Sequence, residues 1–452
     1  MTLAQILTTA VFVIMFAAII WGKIHRFIPA LIGGALIIIV FLTVSRSSEM
    51  VINVFNVQQL IQGQFWLPSG HGVESHGINW QTIIFIAGMM IMVEGLGKVG
   101  FFRWLCLFSA KLVNYKVVPL LVTYMILSGF LSMFIDSITV LLFLASVTIE
   151  LARLLKFDPG PMIIAEIFAA NTGGSATMSG DPPNIIIGTA FGYTFGDFVI
   201  NTGPIAWAGM ILAIVFFFFA ARGVLKKSQQ AHANGLPTTY PQPKEAITNP
   251  RMFLINTIIF IIAIILLVTH AQTGLSVALV GVIAAVLTLL AAGKDIPHVM
   301  RGVDWRTLLF FVGLFITVGG LEETGVLRML AEYIGEASGG NLMLVLTIIL
   351  WISAFASAII DNIPFAATMV PVIAGLSQST GLPLPSIAWA LALGTDVGGN
   401  ATPIGASANV VGTAIAEREG YPISWGRFLK YGVPSMIIVV AFMWLLLIVR
   451  YT

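Results

Sequence analysis

Long apolar runs separated by short polar segments dominate this chain. A helix needs ~20 mostly apolar residues to cross the hydrocarbon core of a bilayer. A further apolar run at 101–112 predicts a short interfacial helix, and the polar segments 45–79 and 222–251 predict a loop and a linker. The longest apolar runs predict membrane-crossing helices at residues 4–21, 28–44, 80–93, 205–221, 252–268, 275–292, 305–321 and 432–449.

Two pairs of apolar runs are separated by only a few residues. The runs 118–134 and 138–154 flank Asp136, and the runs 342–358 and 364–377 flank Asp361. Neither gap leaves room for a water-exposed loop. We therefore predict two re-entrant helical hairpins with their tips at Asp136 and Asp361.

A polar stretch at 171–184, rich in glycine, hydroxyl and amide side chains, interrupts an otherwise apolar segment. The apolar runs on either side, 162–170 and 185–190, are each too short to cross a membrane alone. Non-helical backbone at membrane depth is tolerated only where it is buried in protein or lines a wet cavity. This disfavours a water-exposed loop and predicts one helix broken at mid-membrane.

The same stretch occurs a second time, at a constant offset of 225 residues. The offset also places Asp136 on Asp361 and holds without a gap upstream. An offset that stays constant over about a hundred residues indicates a duplication. It predicts a first repeat at 1–221, a cytoplasmic linker at 222–251 and a second repeat at 252–452. Within the stretch, the matched residues are Gly173, Gly174, Ala176, Thr177, Gly180 and Asn184, which fall on Gly398, Gly399, Ala401, Thr402, Gly405 and Asn409.

Each half contains an odd number of crossings whether or not the hairpin arms are counted, so the halves should lie inverted in the membrane. If the N-terminus is outside, every Lys and Arg except Arg46, Arg328 and Arg450 falls on the inner side. The positive-inside rule favours this orientation. Inverted repeats with discontinuous helices are typical of secondary transporters, whose site lies at the midplane between the repeats.

Composition agrees with this interpretation. Of the 452 residues, 58% are hydrophobic and 9% are charged, against ~25% charged residues in a soluble domain. The sequence predicts an all-α integral membrane protein with about ten transmembrane helices, two hairpins and two broken helices. The single cysteine, Cys106, excludes a disulfide framework and a multi-thiolate metal site. No nucleophile–base set or nucleic-acid-binding pattern is present, so we expect neither an enzyme nor a nucleic-acid partner.

The two hairpin tips and the two broken helices should converge on one ion site. A carboxylate at mid-bilayer costs ~2.5–3.5 kcal/mol or more, so Asp136 and Asp361 need a reason to be there. They could carry protons or cations, or they could cap the hairpin helices, because Asp is a good N-cap. Asp181 could be a ligand or an N-cap, and we favour a ligand role for Asp396. The candidate substrate- and ion-binding residues are Asp136, Ser137, Asn171, Thr172, Gly173, Gly174, Thr177, Asp181, Asn184, Asp361, Asn362, Asp396, Gly398, Gly399, Asn400, Thr402 and Asn409.

Three segments resemble the ion transporter superfamily. They begin at Gly180-Asp-Pro-Pro-Asn, at Asp361-Asn-Ile-Pro-Phe and at Gly398-Gly-Asn-Ala-Thr. Within the superfamily they resemble the branch of the arsenite permease ArsB and the melanosomal P protein, related to the NhaD antiporters and the divalent anion–sodium symporters. The resemblance implies a scaffold domain, a moving transport domain and a site built from the hairpin tips and the broken-helix loops. The symporters carry Ser-Asn-Thr at both tips where this chain has aspartates, which argues against dicarboxylate transport.

The resemblance implies a secondary transporter, and we expect proton-coupled export of arsenite or antimonite. Neutral As(OH)₃ would suit hydroxyl and amide partners such as Thr177, Thr402, Asn184 and Asn409. The alternatives are a sodium/proton antiporter and a transporter of inorganic or organic anions. We expect a multi-pass protein of the plasma (inner) membrane with H⁺ or Na⁺ as coupling ion, no bound metal and no other cofactor. Its partners would be the small ion and the lipid bilayer, and the sequence leaves monomer and homodimer open.

Overall fold

The computed structural model describes residues 1–68, 77–231 and 240–452. The loop predicted at 45–79 and the linker predicted at 222–251 each include residues outside this description. In the described part of the first half, the chain forms these helices: α1 (Leu3–Trp21), α2 (Phe27–Val40), α3 (Ser48–Phe55), α4 (Gly63–Trp66), α5 (Trp80–Lys98), α6 (Phe101–Leu112), α7 (Val117–Leu131), α8 (Ser137–Leu155), α9 (Gly160–Gly174), α10 (Pro182–Phe191) and α11 (Phe195–Ala231).

The second half repeats this order from α12 onwards. Its broken helix, α19–α20, contains one 3₁₀ turn after the first segment. Nine helices of the described residues are long and apolar enough to span a bilayer. The second half contains α12 (Pro250–Thr273), α13 (Val277–Ala292), α14 (Ile296–Gly302), α15 (Trp305–Glu323), α16 (Val326–Ser338), α17 (Leu342–Ser357), α18 (Asn362–Thr380), α19 (Leu384–Gly398), α20 (Ser407–Arg418) and α21 (Trp425–Tyr451).

Several boundaries differ from the sequence predictions. The segment after the first broken helix belongs to α11, because Gly192 adopts a left-handed conformation (φ 69°) that ends α10. The predicted linker is partly helical, since α11 continues to Ala231. Another part of it packs on α6 and on the turn that follows α6, where the Tyr115 hydroxyl donates a hydrogen bond to Pro241 O (2.6 Å) and the Tyr115 and Tyr240 rings stack.

Two of the helix pairs that join the halves are α5 with α13 and α2 with α15. Glycines permit the close approach in both pairs. A Cβ built on Gly88 would lie 2.2 Å from Gly281 O, and one built on Gly313 would lie 2.4 Å from the carbonyl carbon of Ala30. Gly88 and Gly313 are equivalent in the repeat. These pairs, with α1 against α2 and α12 against α13, form one body, which we call the frame.

The hairpins α7–α8 and α17–α18 pack with the broken helices α9–α10 and α19–α20 into a second body, the core unit. Every residue of α9 is buried, whereas α1 and α12 expose many large apolar side chains, as helices facing lipid do. Contacts between α8 and α20 and between α10 and α18 interleave the two halves inside the core unit. The broken-helix loops therefore lie in its interior, beside the hairpin tips.

Candidate functional site

Both hairpin tips are built as helix N-caps. Asp136 precedes α8, and its carboxylate accepts hydrogen bonds from the Thr139 backbone N–H (3.0 Å) and hydroxyl (2.7 Å). Asp361 precedes α18 and accepts one from the Ile363 backbone N–H (3.1 Å). An N-cap carboxylate satisfies backbone donors that would otherwise have no partner at the start of a helix. Capping is therefore part of the role of both acids, and it leaves oxygen lone pairs for other ligands.

Asp181 connects the two tips. It occupies the N-cap position of α10, but its side chain makes no cap hydrogen bond. Its carboxylate accepts hydrogen bonds from Ser137 Oγ (2.6 Å) and Asn362 Nδ2 (3.2 Å), which follow the two tip aspartates. Asp181 is therefore the N-cap residue of α10 by position, but its side chain does not provide the cap hydrogen bond. The carboxylate instead lies buried at the point where the two repeats meet.

The second tip is bound by an arginine of the frame. Arg26, at the start of α2, donates to Asp361 Oδ2 (2.9 Å) and to Ser407 Oγ (2.5 Å), and Ser407 Oγ donates to the same carboxylate (2.7 Å). Arg26 also donates to Thr307 Oγ1 (3.1 Å) and lies over the Phe310 ring. Such a partly desolvated, charge-assisted pair is stronger than an exposed one. Asp136 has no arginine partner among the described residues.

Behind the tips lies a group that we call the amide cluster: Asn171, Asn184, Asp396, Asn400 and Asn409. All five side chains are buried. Asn171 Nδ2 donates to Asn400 Oδ1 (2.9 Å) and Asn409 Oδ1 (3.0 Å), which joins the two broken helices. Asp396 accepts no hydrogen bond from the described residues on either oxygen. Asn171 and Asp396, which are equivalent in the repeat, are thus both buried members of the same polar cluster.

The loop hydroxyls that we expected to bind substrate are occupied by the fold. Thr177 Oγ1 donates to Met133 O and Thr402 Oγ1 donates to Ala358 O, each at 2.5 Å. A buried loop must satisfy its own polar groups and those of its neighbours. Both threonines therefore hold a broken-helix loop to a hairpin in this structure. The assignment of Thr177 and Thr402 as free hydroxyl ligands is not supported by these contacts.

Other candidates also serve packing. Thr172 Oγ1 donates back to Phe168 O (2.7 Å) within α9. A Cβ on Gly173 would lie 2.2 Å from Gly129 O, and one on Gly398 would lie 2.3 Å from Ala354 Cα, so both glycines permit a close helix crossing. Gly174 and Gly399 similarly face the backbone across their own loops.

Two cavities lie along the boundary between the frame and the core unit. A cleft of about 300 Å³ runs between α15 and the pair α10 and α18, and its lining includes Ala367, Glu322 and Arg328 but none of the tip residues. A cavity of about 20 Å³ lies beside Asp136, between α5, α10 and α15, which is room for about one water molecule. The smaller cavity therefore places Asp136 at the boundary between the frame and the core unit.

The structure divides the predicted residues into three groups. The tip group is Asp136, Ser137, Asp181, Asp361 and Asn362; the amide cluster is Asn171, Asn184, Asp396, Asn400 and Asn409; the packing group is Thr172, Gly173, Gly174, Thr177, Gly398, Gly399 and Thr402. Sequence reasoning missed Arg26, Ser407 and Thr307, which surround Asp361. Ser407 lies inside the second repeated stretch, so its position was a usable signal, whereas the sequence marks Arg26 only as an inner-side charge.

Comparison with known proteins gives the class of the chain. A family model described as Citrate transporter (CitMHS) matches residues 16–394. The chain is 31% identical to the 46 kDa membrane protein of Mycobacterium leprae (strain TN), covering 99% of each. It is 35% identical to an uncharacterized transporter of Mycobacterium tuberculosis (strain ATCC 25618 / H37Rv), covering 82% of this chain and 87% of that one. The P protein of Sus scrofa is 29% identical over 80% of this chain and 52% of its own length.

The crystal structure of the Alcanivorax borkumensis YdaH transporter matches with a TM-score of 0.55 at 14% identity, covering 88% of this chain and 86% of that one. This likeness concerns the fold. The resemblance to the ion transporter superfamily and the all-α membrane transporter fold predicted from the sequence are confirmed. The chain belongs to the citrate transporter (CitMHS) family and is a multi-pass membrane transporter, not an enzyme.

Proposed function

We propose that this protein is a secondary active transporter that couples its substrate to protons at the tip group. The observation that carries the proposal is the position of Asp181, which accepts hydrogen bonds from both hairpin tips. Asp136 and Asp361 lie within electrostatic range of it. Ionised carboxylates this close inside a membrane repel one another, and binding a proton or a cation relieves the repulsion. Binding and release of a proton or a cation among these carboxylates couple substrate movement to an ion gradient.

Alternating access is proposed as movement of the core unit against the frame. Arg26 belongs to the frame, whereas Asp361 and Ser407 belong to the core unit. A displacement of one body along the other must therefore break this ion pair. A proton or a substrate that neutralises Asp361 weakens its hold on Arg26. Loading of the tip and release of the core unit are thus the same electrostatic event.

Arsenite and antimonite export is the substrate assignment that we propose first. As(OH)₃ is neutral, so it needs no counter-charge in a group with three carboxylates and one guanidinium. Thr177 and Thr402 are bonded to backbone carbonyls, whereas Ser137, Asn362 and Ser407 donate to carboxylates at the tips, so protonation of those carboxylates would free these three groups for the substrate. Cys106 is buried in α6 and lies outside the tip group, so thiolate capture has no role in this proposal.

Three observations favour alternative substrates. The family description names citrate, and Arg26 could bind a carboxylate in place of Asp361, which supports an organic or inorganic anion. The concentration of acids at the tips supports sodium/proton antiport instead. The three proposals differ in the charge that crosses the membrane with each cycle, and that difference can be measured.

The test uses the purified protein in liposomes with an imposed pH gradient. Uptake or export of arsenite, sodium and citrate is measured with and without the gradient, beside the Asp136→Asn/Asp361→Asn double variant. We expect saturable, gradient-driven arsenite flux that the double variant loses. Gradient-driven flux of sodium or citrate alone would replace arsenite as substrate. A flux that neither saturates nor responds to the gradient would overturn coupled transport altogether.

A further inference from the structure

The amide cluster contains several buried oxygens without a partner. Asp396 is 0% exposed, and neither of its carboxylate oxygens accepts a hydrogen bond from the described residues. Asn171 Oδ1 and Asn184 Oδ1 lack a donor as well. Asn184 is a hydrogen-bonding side chain that acts on the Asp396 carboxylate, but its Nδ2 already donates to Gly174 O and Thr177 O. The charged side chain that acts most strongly on Asp396 is another acid, Asp181. A buried carboxylate with no donor of its own and no counter-charge is costly, so the site calls for a positive partner.

The backbone fixes the orientation of these amides. Asn409 Nδ2 donates to Gly399 O and Thr402 O, each at 2.7 Å. Its oxygen must therefore face the other way, towards Asn171. Asn171 meets it with Nδ2, which leaves Asn171 Oδ1 without a donor.

Asn184 repeats this arrangement in the first half of the chain. Its Nδ2 donates to Gly174 O (3.0 Å) and Thr177 O (3.1 Å), so its oxygen is turned away from the loop. Turning either amide round would place an oxygen against two carbonyl oxygens. The unpartnered oxygens of Asn171 and Asn184 thus follow from the fold of the two broken helices.

We propose that Asp396, Asn171 and Asn184 form a binding site for one dehydrated sodium ion, separate from the tip group. Carboxylate and amide oxygens are hard ligands, which suit hard cations. A single carboxylate balances a monovalent ion, and the described residues contain no group of three acidic, histidine or cysteine side chains that would favour a divalent one. A proton on Asp396 could satisfy one acceptor, whereas a cation can contact several oxygens at once.

The inference deepens the proposed function by naming a coupling ion, and it rests on that function only for the coupling role. The repeat suggests one ion rather than two, because position 171 carries Asn where position 396 carries Asp. The two carboxylate oxygens of Asp181 accept hydrogen bonds from Ser137 and Asn362, so Asp181 is not among the proposed ligands. Sodium bound here would hold the two broken helices together while the tips load substrate.

The experiment measures sodium binding to the full-length purified protein without any transported substrate. Equilibrium binding of ²²Na⁺ and the melting temperature are followed at alkaline pH in sodium, potassium or choline chloride at equal ionic strength. A ligand that binds the native state raises the melting temperature in a concentration-dependent way. We expect saturable stabilisation that is specific for sodium. Asp396→Asn should weaken sodium binding by about 10–100-fold or more, since even outer-shell changes reach that range.

The repeat offers a matched rescue. In the double variant Asn171→Asp/Asp396→Asn the carboxylate moves to the equivalent position, and sodium binding should return. Glu332→Gln, on the exposed face of α16, should leave binding unchanged. Two results with the wild-type protein would overturn the proposed site. One is that sodium neither binds nor raises the melting temperature, and the other is that the melting temperature changes only with pH, equally in sodium and in choline. Undiminished sodium binding by a folded Asp396→Asn protein would overturn the site as well. Sodium binding without gradient-driven flux would instead count against the proposed function alone.

Discussion

The guanidinium of Arg26 lies 2.9 Å from Asp361 Oδ2, across 335 positions of the chain. Their side chains are only 25% and 13% exposed, so solvent screens the pair incompletely. Asp136, the equivalent acid of the other hairpin, is bound instead by Thr139 of its own helix. The two acids are therefore equivalent in the repeat and unequal in their electrostatic surroundings.

The first prediction concerns this pair. Arg26→Gln leaves Asp361 partly buried without its cation, and removing one partner of a buried pair can cost ~3–5 kcal/mol. Because the pair is partly exposed, we expect a smaller loss of stability and a fall in transport of ~10-fold or more, the equivalent of about 1.4 kcal/mol. The control is Arg103→Gln, which breaks a more exposed pair with Glu150 and should change little,. Equal transport by both variants would contradict the role assigned to Arg26.

The second prediction separates capping from coupling at the tips. Asn caps helices about as well as Asp, so Asp136→Asn and Asp361→Asn should both fold and express. Transport driven by the pH gradient should fall in each, with a flatter pH dependence. Asp361→Asn should be more damaging, because it also leaves Arg26 unpaired, and adding Arg26→Gln should restore part of its melting temperature. Full gradient-driven transport in the double Asp→Asn variant would exclude the coupling role for both acids.

The repeat explains how much of this site the sequence could predict. Thr177 with Met133 and Thr402 with Ala358 show that the constant offset carries over to individual contacts. The hairpin tips were also predictable, because an aspartate between two apolar runs has few other places to lie. The hydrogen bonds of those loop hydroxyls could not be predicted. A glycine-rich loop suggests hydroxyl groups that are free to bind a ligand, but a buried loop must use them to satisfy nearby backbone carbonyls.

The partners that are distant in the sequence could not be predicted from local sequence patterns. Asp181 before two prolines is a normal N-cap signal, but Ser137 and Asn362 offer its carboxylate other donors once the hairpins pack. Arg26 reaches Asp361 only because α2 packs on α15. No periodicity in the sequence encodes which helices of the two halves become neighbours, so these contacts had to be seen in the structure.

The third prediction tests the close crossing of α7 and α9. In Gly173→Ala the new Cβ would lie 2.2 Å from the Gly129 carbonyl oxygen, which is backbone and cannot rotate away. Overpacking of this kind costs ~1–3 kcal/mol or more, so the melting temperature in detergent should fall clearly. Gly223→Ala in α11 meets nothing within 4 Å and should be neutral or slightly stabilising,. A Gly173→Ala protein as stable as the Gly223→Ala control would show that the two helices can separate at little cost.

The fourth prediction concerns orientation, which the charge pattern places with the N-terminus outside. Cys106 is buried, so cysteines introduced in its absence report their own side of the membrane. Ile61→Cys lies at an exposed position between α3 and α5, and Lys244→Cys lies at one between α11 and α12. An impermeant maleimide added to intact cells should label the first variant and not the second until the cells are opened. The reverse pattern would invert the assigned topology.

The last prediction concerns the hydrogen bonds that join the two tips through Asp181. In Asp181→Asn, the new amide oxygen can still accept from Ser137, but an amino group then faces the Asn362 amino group, and two donors repel. We expect transport to fall ~10-fold or more, since leaving a buried donor unmatched costs ~1–3 kcal/mol.

Adding Asn362→Asp exchanges donor and acceptor, so the amide nitrogen introduced at position 181 can donate to the new carboxylate. If the contact itself matters, the exchanged pair should recover much of the transport lost by Asp181→Asn, although the charge has moved by one side chain. If the ionised group must stand at position 181, the exchanged protein should fold well, melt near the wild-type temperature and remain inactive. Measuring melting temperature and flux on the same preparations separates these two roles of Asp181.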